Sequence, residues 1–410
     1  MLVYGAFASA AVWLWAVPWT LARAAGGRRA PGELRERLGC TDALPSSLRP
    51  IIIHGVSAGE MASARALVDA LVRRDPAVRI ILTMGTKDGR TLADQMREDV
   101  PQILACVFLP WDRPVVVRRW LAHINPRAVA VVETELWPGL FAACRSLTIP
   151  LFIVSARLYP RDIPRYQWLG RWWSTVMAMP TRVLAQDEHE AEAFVAIGTP
   201  RDIVEVSGNL KFDVARTAPG ARTDSALTVV AGNTHAPEET WMLDAVSRVQ
   251  RAGIPCAITL APRDIRRADA VRRQAASVGV TEVTVLDRMG TLPTAYGSAH
   301  VALCGGTFAA FGGHNIIEPA AAGCAVVTGP HIAHIRGLVD QLDAAGGVVR
   351  IPPTRDPSTS IAEALTQLHH DRQRLDVIGR RAAVWCAGRR GAADQAAALI
   401  LSDQSSSTCS

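Results

Sequence analysis

A glycine-rich loop in the second half of the chain has the composition of a phosphate-binding site. Four glycines lie between residues 305 and 313, after the apolar run 301–304 and before a helix-compatible segment at 315–322. A second apolar run follows at 324–328. Glycines let backbone amides approach a ligand closely, and a helix start presents unpaired N–H groups and the positive end of a dipole. The pattern therefore predicts a β-loop-α-β unit that binds a phosphate.

Glu318 is the carboxylate of this unit and lies one turn into the predicted helix. A carboxylate does not bind a phosphate, but it accepts hydrogen bonds from the two hydroxyls of a ribose. The loop and Glu318 together are typical of a nucleotide site. The alternative is a tight turn between a strand and a helix, with an ordinary Glu in the first helical turn.

Three polar clusters in the first half of the chain follow short apolar runs. They are residues 54–60 (HGVSAGE), 133–138 (ETELWP) and 155–158 (SARL). Glu60 stands where a helix starts and is well placed for a general base, while the alternative is a first-turn Glu that complements the helix dipole. Glu133 and Glu135 admit the same two interpretations.

Apolar runs alternate with helical segments along most of the chain, which predicts parallel sheets with helices on both faces. The runs lie at 49–54, 80–84, 106–109, 128–132, 151–154, 183–185 and 204–206, and then at 227–231, 256–260, 282–286, 301–304 and 324–328. In such sheets the ligand crevice lies beyond the carboxyl ends of the strands, where the polar clusters fall.

Length and composition predict two globular domains. A chain of 410 residues with 49% hydrophobic residues is too long for one core and too apolar for disorder. We expect the domains at 40–215 and 225–402. A net charge of +6 suits a nucleotide, an anionic sugar or an anionic membrane, and is too small to argue for nucleic acid. Eight cysteines without a CxxC pair fit reduced thiols better than disulfides or a zinc site, so no structural metal is expected.

The start of the chain is predicted to be a membrane anchor. Residues 1–22 carry no charge and contain three tryptophans, and arginines follow from Arg23. About 20 apolar residues span a bilayer, and a cleavable signal peptide normally begins with a basic region. We therefore expect an uncleaved anchor whose arginines place the body of the protein in the cytoplasm. Pro18 interrupts the run, so a tilted or interfacial helix is the alternative to a spanning one.

A second membrane contact is predicted at residues 165–177 (RYQWLGRWWSTVM). Indole rings and guanidinium groups together are typical of a segment at the headgroup boundary of a bilayer. The alternative is that Trp168 and Trp172, which share one face of a helix, belong to the core.

Taken in order, seven motifs resemble those of the Kdo transferases, which attach 3-deoxy-D-manno-octulosonic acid (Kdo) from CMP-Kdo to lipid A precursors. They are HGVSAGE, ETELWP, SARL, GNLKFD, NTHAPEE, LAPR, and FGGHNIIEPAAAG followed by GPH. The resemblance implies an inverting glycosyltransferase of the GT-B type, with two Rossmann-like domains that face a central cleft. It implies a lipid A precursor on the N-terminal domain, CMP-Kdo on the C-terminal domain, and a place on the cytoplasmic side of the inner membrane.

By this resemblance Glu60 corresponds to the catalytic base of the family. The positions that correspond to CMP contacts are Pro262, Arg263, Met289, Gly290, Thr291, Asn315, Ile316, Ile317 and Glu318. The further candidates for the cleft are Ser57, Gly59, Glu133, Glu135, Arg157, Lys211, Thr234, His235, Gly312, Gly313 and His314.

The chain departs from the family pattern in three places. Ala236-Pro237 replaces the usual Glu-Gly before Glu238, and Thr307 stands where Ser is usual. Thr291 replaces a Glu of the donor loop, which removes a carboxylate from that loop.

The chemistry implied is attack of a lipid A hydroxyl on the anomeric carbon of Kdo, through an oxocarbenium-like state. A base is needed on the acceptor side, and Arg263 with the loop at 305–315 would stabilise the departing phosphate. No Asp-x-Asp motif is present to hold a metal, and no cofactor is expected beyond the donor. Two alternatives stay open. A sugar-nucleotide 2-epimerase of the same fold would need no anchor, and a noncatalytic membrane-bound binding protein would tolerate the loss of Glu60.

Overall fold

The computed structural model describes residues 32–41, 46–214, 222, 226–288 and 290–402. These residues form two compact units. The first comprises the described residues up to Val214 together with those from Arg390, and the second comprises the described residues from 222 to Arg389.

The first unit is built on a seven-stranded parallel sheet in the order β3-β2-β1-β4-β5-β6-β7. Ile51 and Ile53 of the central strand face one core and Ile52 faces the other, so this strand reads as a continuous apolar run. The strands are β1 (Ile51–His54), β2 (Ile80–Met84), β3 (Ile103–Phe108), β4 (Ala128–Val132), β5 (Leu151–Ala156), β6 (Arg182–Ala185) and β7 (Val204–Val206).

Helices connect these strands and cover the sheet. They are α1 (Glu33–Arg37), α2 (Ala58–Arg74), α3 (Lys87–Asp99), α4 (Pro114–Ile124), α5 (Pro138–Ser146), α6 (Ile163–Trp168), α7 (Gly170–Met177), α8 (Glu188–Ala196) and α9 (Leu210–Val214).

The second unit has a six-stranded parallel sheet in the order β10-β9-β8-β11-β12-β13. Its strands are β8 (Leu227–Thr234), β9 (Cys256–Pro262), β10 (Val283–Val285), β11 (Val301–Cys304), β12 (Ala325–Thr328) and β13 (Val348–Arg350). Its helices are α10 (Glu238–Arg251), α11 (Ala268–Val278), α12 (Leu292–Gly297), α13 (Ile317–Ala321), α14 (Arg336–Ala344), α15 (Pro357–His370) and α16 (Arg372–Ala387).

The predicted strands are confirmed, with bounds that shift by a few residues. The strand β13 was not predicted, because it has only three residues, of which one is buried. The helix expected at 315–322 is shorter and begins at Ile317, which places Glu318 in its first turn.

The predicted end of the second domain at residue 402 is wrong. The last helix, α17 (Ala392–Ser402), packs on α2 and adds Ala396 and Ile400 to the core of the first unit. The buried Asp213 fixes its start, because the two carboxylate oxygens accept from the amides of Gly391 (2.7 Å) and Ala393 (2.8 Å). The local sequence of this helix cannot show that it packs on a core whose residues lie almost 200 or more positions earlier in the chain.

The predicted anchor at 1–22 lies outside the described residues, as does Met289. Among the helices that the structure describes, none has the length and hydropathy needed to cross a bilayer.

Candidate functional site

Each sheet has a point at which the strand order reverses. It lies between β1 and β4 in the first sheet and between β8 and β11 in the second. At such a point the connections leave on opposite faces, and the crevice beyond the carboxyl ends of the two strands is where α/β proteins bind ligands. The segments that follow these four strands contain most of the predicted site residues.

Glu60 lies in the first turn of α2, directly after β1. Its amide donates to Ser57 Oγ (3.4 Å) and its Oε2 accepts from the Ser57 amide (2.7 Å), which completes a capping box. Burial raises the pKa of Glu60 against the effect of the Ser57 hydrogen bond, and the charge of Glu133 raises it further. Glu60 is therefore both a helix cap and a carboxylate with the raised pKa that suits a general base.

Glu133 and Glu135 follow β4, on the other side of the same reversal point. Glu133 is buried, has a left-handed backbone (φ 62°), and places its Oε1 2.7 Å from Lys211 Nζ. Burial, followed by the charge of Glu60, raises the pKa of Glu135 to about 7. The structure thus brings three predicted carboxylates and one predicted cation into a single group, which we call the carboxylate cluster (Glu60, Glu133, Glu135 and Lys211).

Other candidates of the first unit have structural roles. Ser57 caps α2, and the carbonyl of Gly59 accepts from Ser63 Oγ (3.2 Å). Arg157 lies 5.0 Å from the centre of the Tyr159 ring. His54, at the end of β1, is buried with Nδ1 3.0 Å from Thr83 Oγ1, and burial lowers its pKa to about 3, which removes it from acid–base chemistry near neutral pH.

The glycine-rich loop of the second unit is held by a buried carboxylate. Glu238, which is 0% exposed, accepts from the amides of Gly306 (2.8 Å), Phe308 (3.0 Å) and Ala309 (3.1 Å). It also accepts from the amide of His235 (3.0 Å), so it joins the segments that follow β8 and β11. The expectation that these loop amides bind a phosphate is wrong for these three, because Glu238 already occupies them.

Two of the glycines make room for histidine rings. A Cβ on Gly306 would lie 2.8 Å from His314 Cδ2, and one on Gly312 would lie 2.5 Å from His334 Nδ1. Both glycines have positive φ, which side chains rarely adopt. The neighbouring Gly313 donates its amide to the Gly306 carbonyl (2.8 Å). The loop therefore presents imidazoles where the sequence suggested bare backbone.

His235 and His314 form the centre of this site. Their Nε2 atoms are 2.7 Å apart, and the His235 ring stacks on Phe311 at a centroid distance of 4.0 Å. Burial, with the charges of His235, Arg263 and His334, lowers the pKa of His314 to about 4. His314 is therefore neutral near pH 7, and the two rings share one N–H···N hydrogen bond.

Arg263, directly after β9, presents an exposed guanidinium to this region and donates its amide to the Thr234 carbonyl (3.0 Å). Pro262 is the last residue of β9 and pairs with Thr234. The Thr234 hydroxyl donates to Glu239 Oε1 (3.1 Å), which also accepts from Arg267 Nη1 (2.8 Å). The end of β8 is thus fixed by side chains on two helical segments.

The segment 315–318 is arranged around Asn315. Its Nδ2 donates to Glu318 Oε1 (3.0 Å), and its Oδ1 accepts from the Ile317 amide (2.9 Å). Ile316 and Ile317 are each 0% exposed, so neither their side chains nor their backbone groups lie at the surface. Burial raises the pKa of Glu318, while Asn315 and the Arg263 cation oppose that shift.

Gly290 and Thr291 precede α12, which packs beside α13. The Thr291 hydroxyl donates to the Arg288 carbonyl (2.9 Å) and so supports its own loop.

Four residues of this site were not predicted from the sequence: Glu238, Glu239, Arg267 and His334. Two adjacent carboxylates at a helix start resemble ordinary dipole-complementing residues. No local pattern distinguished these two carboxylates from such residues.

A family model described as 3-Deoxy-D-manno-octulosonic-acid transferase (kdotransferase) matches residues 32–214. The 3-deoxy-D-manno-octulosonic acid transferase of Bordetella pertussis is 32% identical over 415 residues, which cover 93% of this chain and 93% of that protein. The transferase of the same name from Haemophilus influenzae is 29% identical over 353 residues, covering 80% and 82%.

Among solved structures, UDP-GlcNAc 2-epimerase from Neisseria meningitidis has a TM-score of 0.61 at 15% identity, over 86% of this chain and 100% of that chain. MurG from Acinetobacter baumannii has a TM-score of 0.58 at 15% identity, over 86% and 99%. At such low identity these likenesses establish the fold alone.

Proposed function

Because the chain belongs to the 3-deoxy-D-manno-octulosonic acid (Kdo) transferases, a family of glycosyltransferases, we propose that it transfers Kdo from CMP-Kdo to a lipid A precursor. The reaction inverts the configuration at the anomeric carbon of Kdo, and the architecture is that of a GT-B enzyme. The site is on the cytoplasmic side of the inner membrane.

The carboxylate cluster is the observation that carries the acceptor side of this proposal. An acceptor hydroxyl must lose its proton as it attacks the anomeric carbon of Kdo. Glu60 takes that proton, because its raised pKa brings its basicity nearer to neutral pH and its position follows β1 at the reversal point. The Glu133–Lys211 ion pair (2.7 Å) fixes the neighbouring charge.

The second unit holds the donor. Glu318 accepts hydrogen bonds from the cytidine ribose, and Arg263 stabilises the phosphate that departs with the electron pair of the broken C–O bond. The proximity of Arg263 to Glu318, seen in the opposing effect of its charge on the Glu318 pKa, suits a ligand that carries a ribose and a phosphate close together.

The acceptor is a glycolipid, so the protein works at a membrane surface. Trp168 is 84% exposed at the end of α6, and the exposed residues Arg161, Arg165 and Arg171 surround it in the chain. The adjoining Tyr166 is close enough to Glu135 for that carboxylate to contribute, after burial, to its raised pKa. We assign this surface, together with the segment 1–22, to membrane contact beside the acceptor.

The test is the mass of the product formed by the full-length protein, in detergent, from CMP-Kdo and a tetraacylated lipid A precursor. One or more added Kdo units support the proposal, and the Glu60→Gln protein serves as the matched negative control. Conversion of a UDP-sugar to its 2-epimer, without transfer, would favour the epimerase alternative. Binding of both substrates without turnover would favour a noncatalytic binding protein.

A further inference from the structure

The site of the second unit contains a hydrogen-bonded pair of imidazoles that has no part in the transfer reaction described above. His235 and His314 approach through their Nε2 atoms (2.7 Å), so one ring donates an N–H and the other accepts it. In the neutral pair the accepting ring carries its proton on Nδ1. One ring nitrogen, Nδ1 of the donating ring, then carries no proton.

Charged groups of both signs surround the pair. Arg263 and His334 act against a positive charge on His314. On the other side, the buried Glu238 carboxylate lies at the His235 amide (3.0 Å), and Glu318 lies near Arg263. The ion pair of Glu239 with Arg267 (2.8 Å) adds no net charge.

Three amides of the glycine loop are not open to a phosphate. The amides of Gly306, Phe308 and Ala309 are directed to Glu238, and that carboxylate adds a negative charge beneath the loop. A dianionic phosphate beside Arg263 would be stabilised by a further positive charge within the site. The imidazole pair lies in this site and can gain a charge by binding a proton.

We propose that the His235–His314 pair binds the phosphate of the donor nucleotide and takes up one proton from water as the phosphate binds. This inference rests on the proposed assignment of the CMP site to this unit. The proton occupies the bare Nδ1, so that both rings have an N–H to donate while the bond between them is kept. The proton returns to solvent when CMP leaves.

The sign of the pH dependence follows from linkage. The bound state holds one proton more than the free state, so CMP affinity falls as the pH rises. The fall approaches about tenfold per pH unit between the pKa of the pair in the free protein and its higher pKa in the complex.

Isothermal titration calorimetry with the full-length protein in detergent tests the inference. CMP is titrated at about pH 7.5, where its phosphate, with a second pKa of about 6, is mostly dianionic. Two buffers of different ionisation enthalpy then report the number of protons bound. We expect an uptake of roughly 0.5 to 1 proton per CMP for the wild type and none above background for cytidine, which lacks the phosphate.

The variant His314→Gln keeps a hydrogen-bonding group beside His235 but cannot hold a proton near neutral pH. It should bind CMP with little or no proton uptake and a much flatter pH dependence, at an unchanged melting temperature. His235→Gln should behave alike. His370→Gln, which changes an exposed histidine at the end of α15, is the matched control and should retain the uptake.

If the wild type binds CMP with the same apparent binding enthalpy in both buffers, no proton is taken up. That result would overturn the inference and leave the proposed donor site unchanged. Full proton uptake in folded His314→Gln would do the same. A wild-type protein that does not bind CMP at all would overturn the proposed donor site and this inference with it.

Discussion

At the scale of residues, the carboxylate cluster shows how one side chain can serve structure and chemistry together. Glu60 uses Oε2 to complete the capping box of α2. That hydrogen bond fixes the side chain in the first turn, while burial and the charge of Glu133 raise its pKa. A positioned carboxylate with raised basicity is what general-base catalysis needs.

We predict that Glu60→Gln abolishes transfer and leaves the fold intact. Glutamine preserves the capping hydrogen bond, because it keeps an acceptor oxygen, but it cannot take a proton near neutral pH. The rate of Kdo transfer should fall about a hundredfold or more, with unchanged CMP affinity and melting temperature. Glu188→Gln is the matched control, since Glu188 is an exposed first-turn Glu of α8. Turnover above roughly a tenth of wild type would exclude Glu60 as the base.

A second prediction concerns the pH dependence. Glu133→Gln removes a negative charge near Glu60 and leaves the Lys211 cation without its carboxylate, and both changes lower the Glu60 pKa. A base with a lower pKa stays ionised in more acid solution. The acidic limb of the pH profile of kcat/KM should therefore move to lower pH, by up to about one unit.

Glu205→Gln provides the comparison for this shift. It breaks the more exposed Arg182–Glu205 pair (3.1 Å) in the same unit and should leave the acidic limb in place. An acidic limb that does not respond to Glu133→Gln would mean that the titrating group is not Glu60 or that Glu133 does not act on it.

At the scale of elements, short helices and loops decide what the sites expose. The helices α6 and α7 divide the tryptophans between core and solvent: Trp173 is 3% exposed and stacks on Tyr166 at 4.7 Å, whereas Trp168 is 84% exposed. Trp172 packs at the edge of the core. The expectation that Trp168 and Trp172 share one environment fails because the chain turns between the two helices at Gly170, where φ is positive.

We predict that alanine substitutions of two tryptophans in this helix pair have different effects, one on membrane binding and the other on stability. Trp168→Ala should weaken binding of the protein lacking residues 1–22 to anionic liposomes at an unchanged melting temperature, because the ring buries area only against a bilayer. Trp173→Ala should cost about 3–5 kcal/mol of unfolding free energy, because it leaves a cavity in the core. Liposome flotation and thermal denaturation measure the two effects. Undiminished flotation of the Trp168→Ala protein would remove this surface from the membrane contact.

At the scale of the whole molecule, the proposed chemistry is divided between two units of similar design. Each has candidate site residues where its sheet reverses order, carboxylates in the first unit and histidines in the second, and Arg263 follows the neighbouring strand β9. The chain enters the second unit after Val214 and returns to the first at Arg390. There the Asp213 carboxylate accepts hydrogen bonds from the amides of Gly391 and Ala393. The last helix is therefore part of the unit that carries Glu60.

Removal of residues 1–22 tests the membrane anchor. The truncated protein should appear in the supernatant after ultracentrifugation at high salt, which weakens charge contacts with lipid. It should still transfer Kdo to detergent-solubilised acceptor, because all the site residues lie beyond the deleted segment. A truncated protein that stays in the membrane pellet at high salt would show that another segment supplies most of the attachment.

The local sequence was sufficient to predict the strands and helices and the positions of the candidate site residues. Runs such as Ile51–His54 and Val301–Cys304 are apolar because both faces of a parallel sheet are covered, and polar residues at their ends mark the crevice. The position of Glu60 at a helix start and the candidate site around 315–318 followed from the same local pattern.

Only the tertiary structure decided which groups meet. His235 and His314 are 79 residues apart, and Glu238 reaches amides about 70 residues away. Periodicity records the burial of each segment, but a hydrogen-bond partner depends on strand order and on the path of each loop in space. For this reason the glycines indicated a backbone that binds phosphate, while in the folded chain imidazole rings lie against Gly306 and Gly312. The amides of Gly306, Phe308 and Ala309 donate to the buried Glu238.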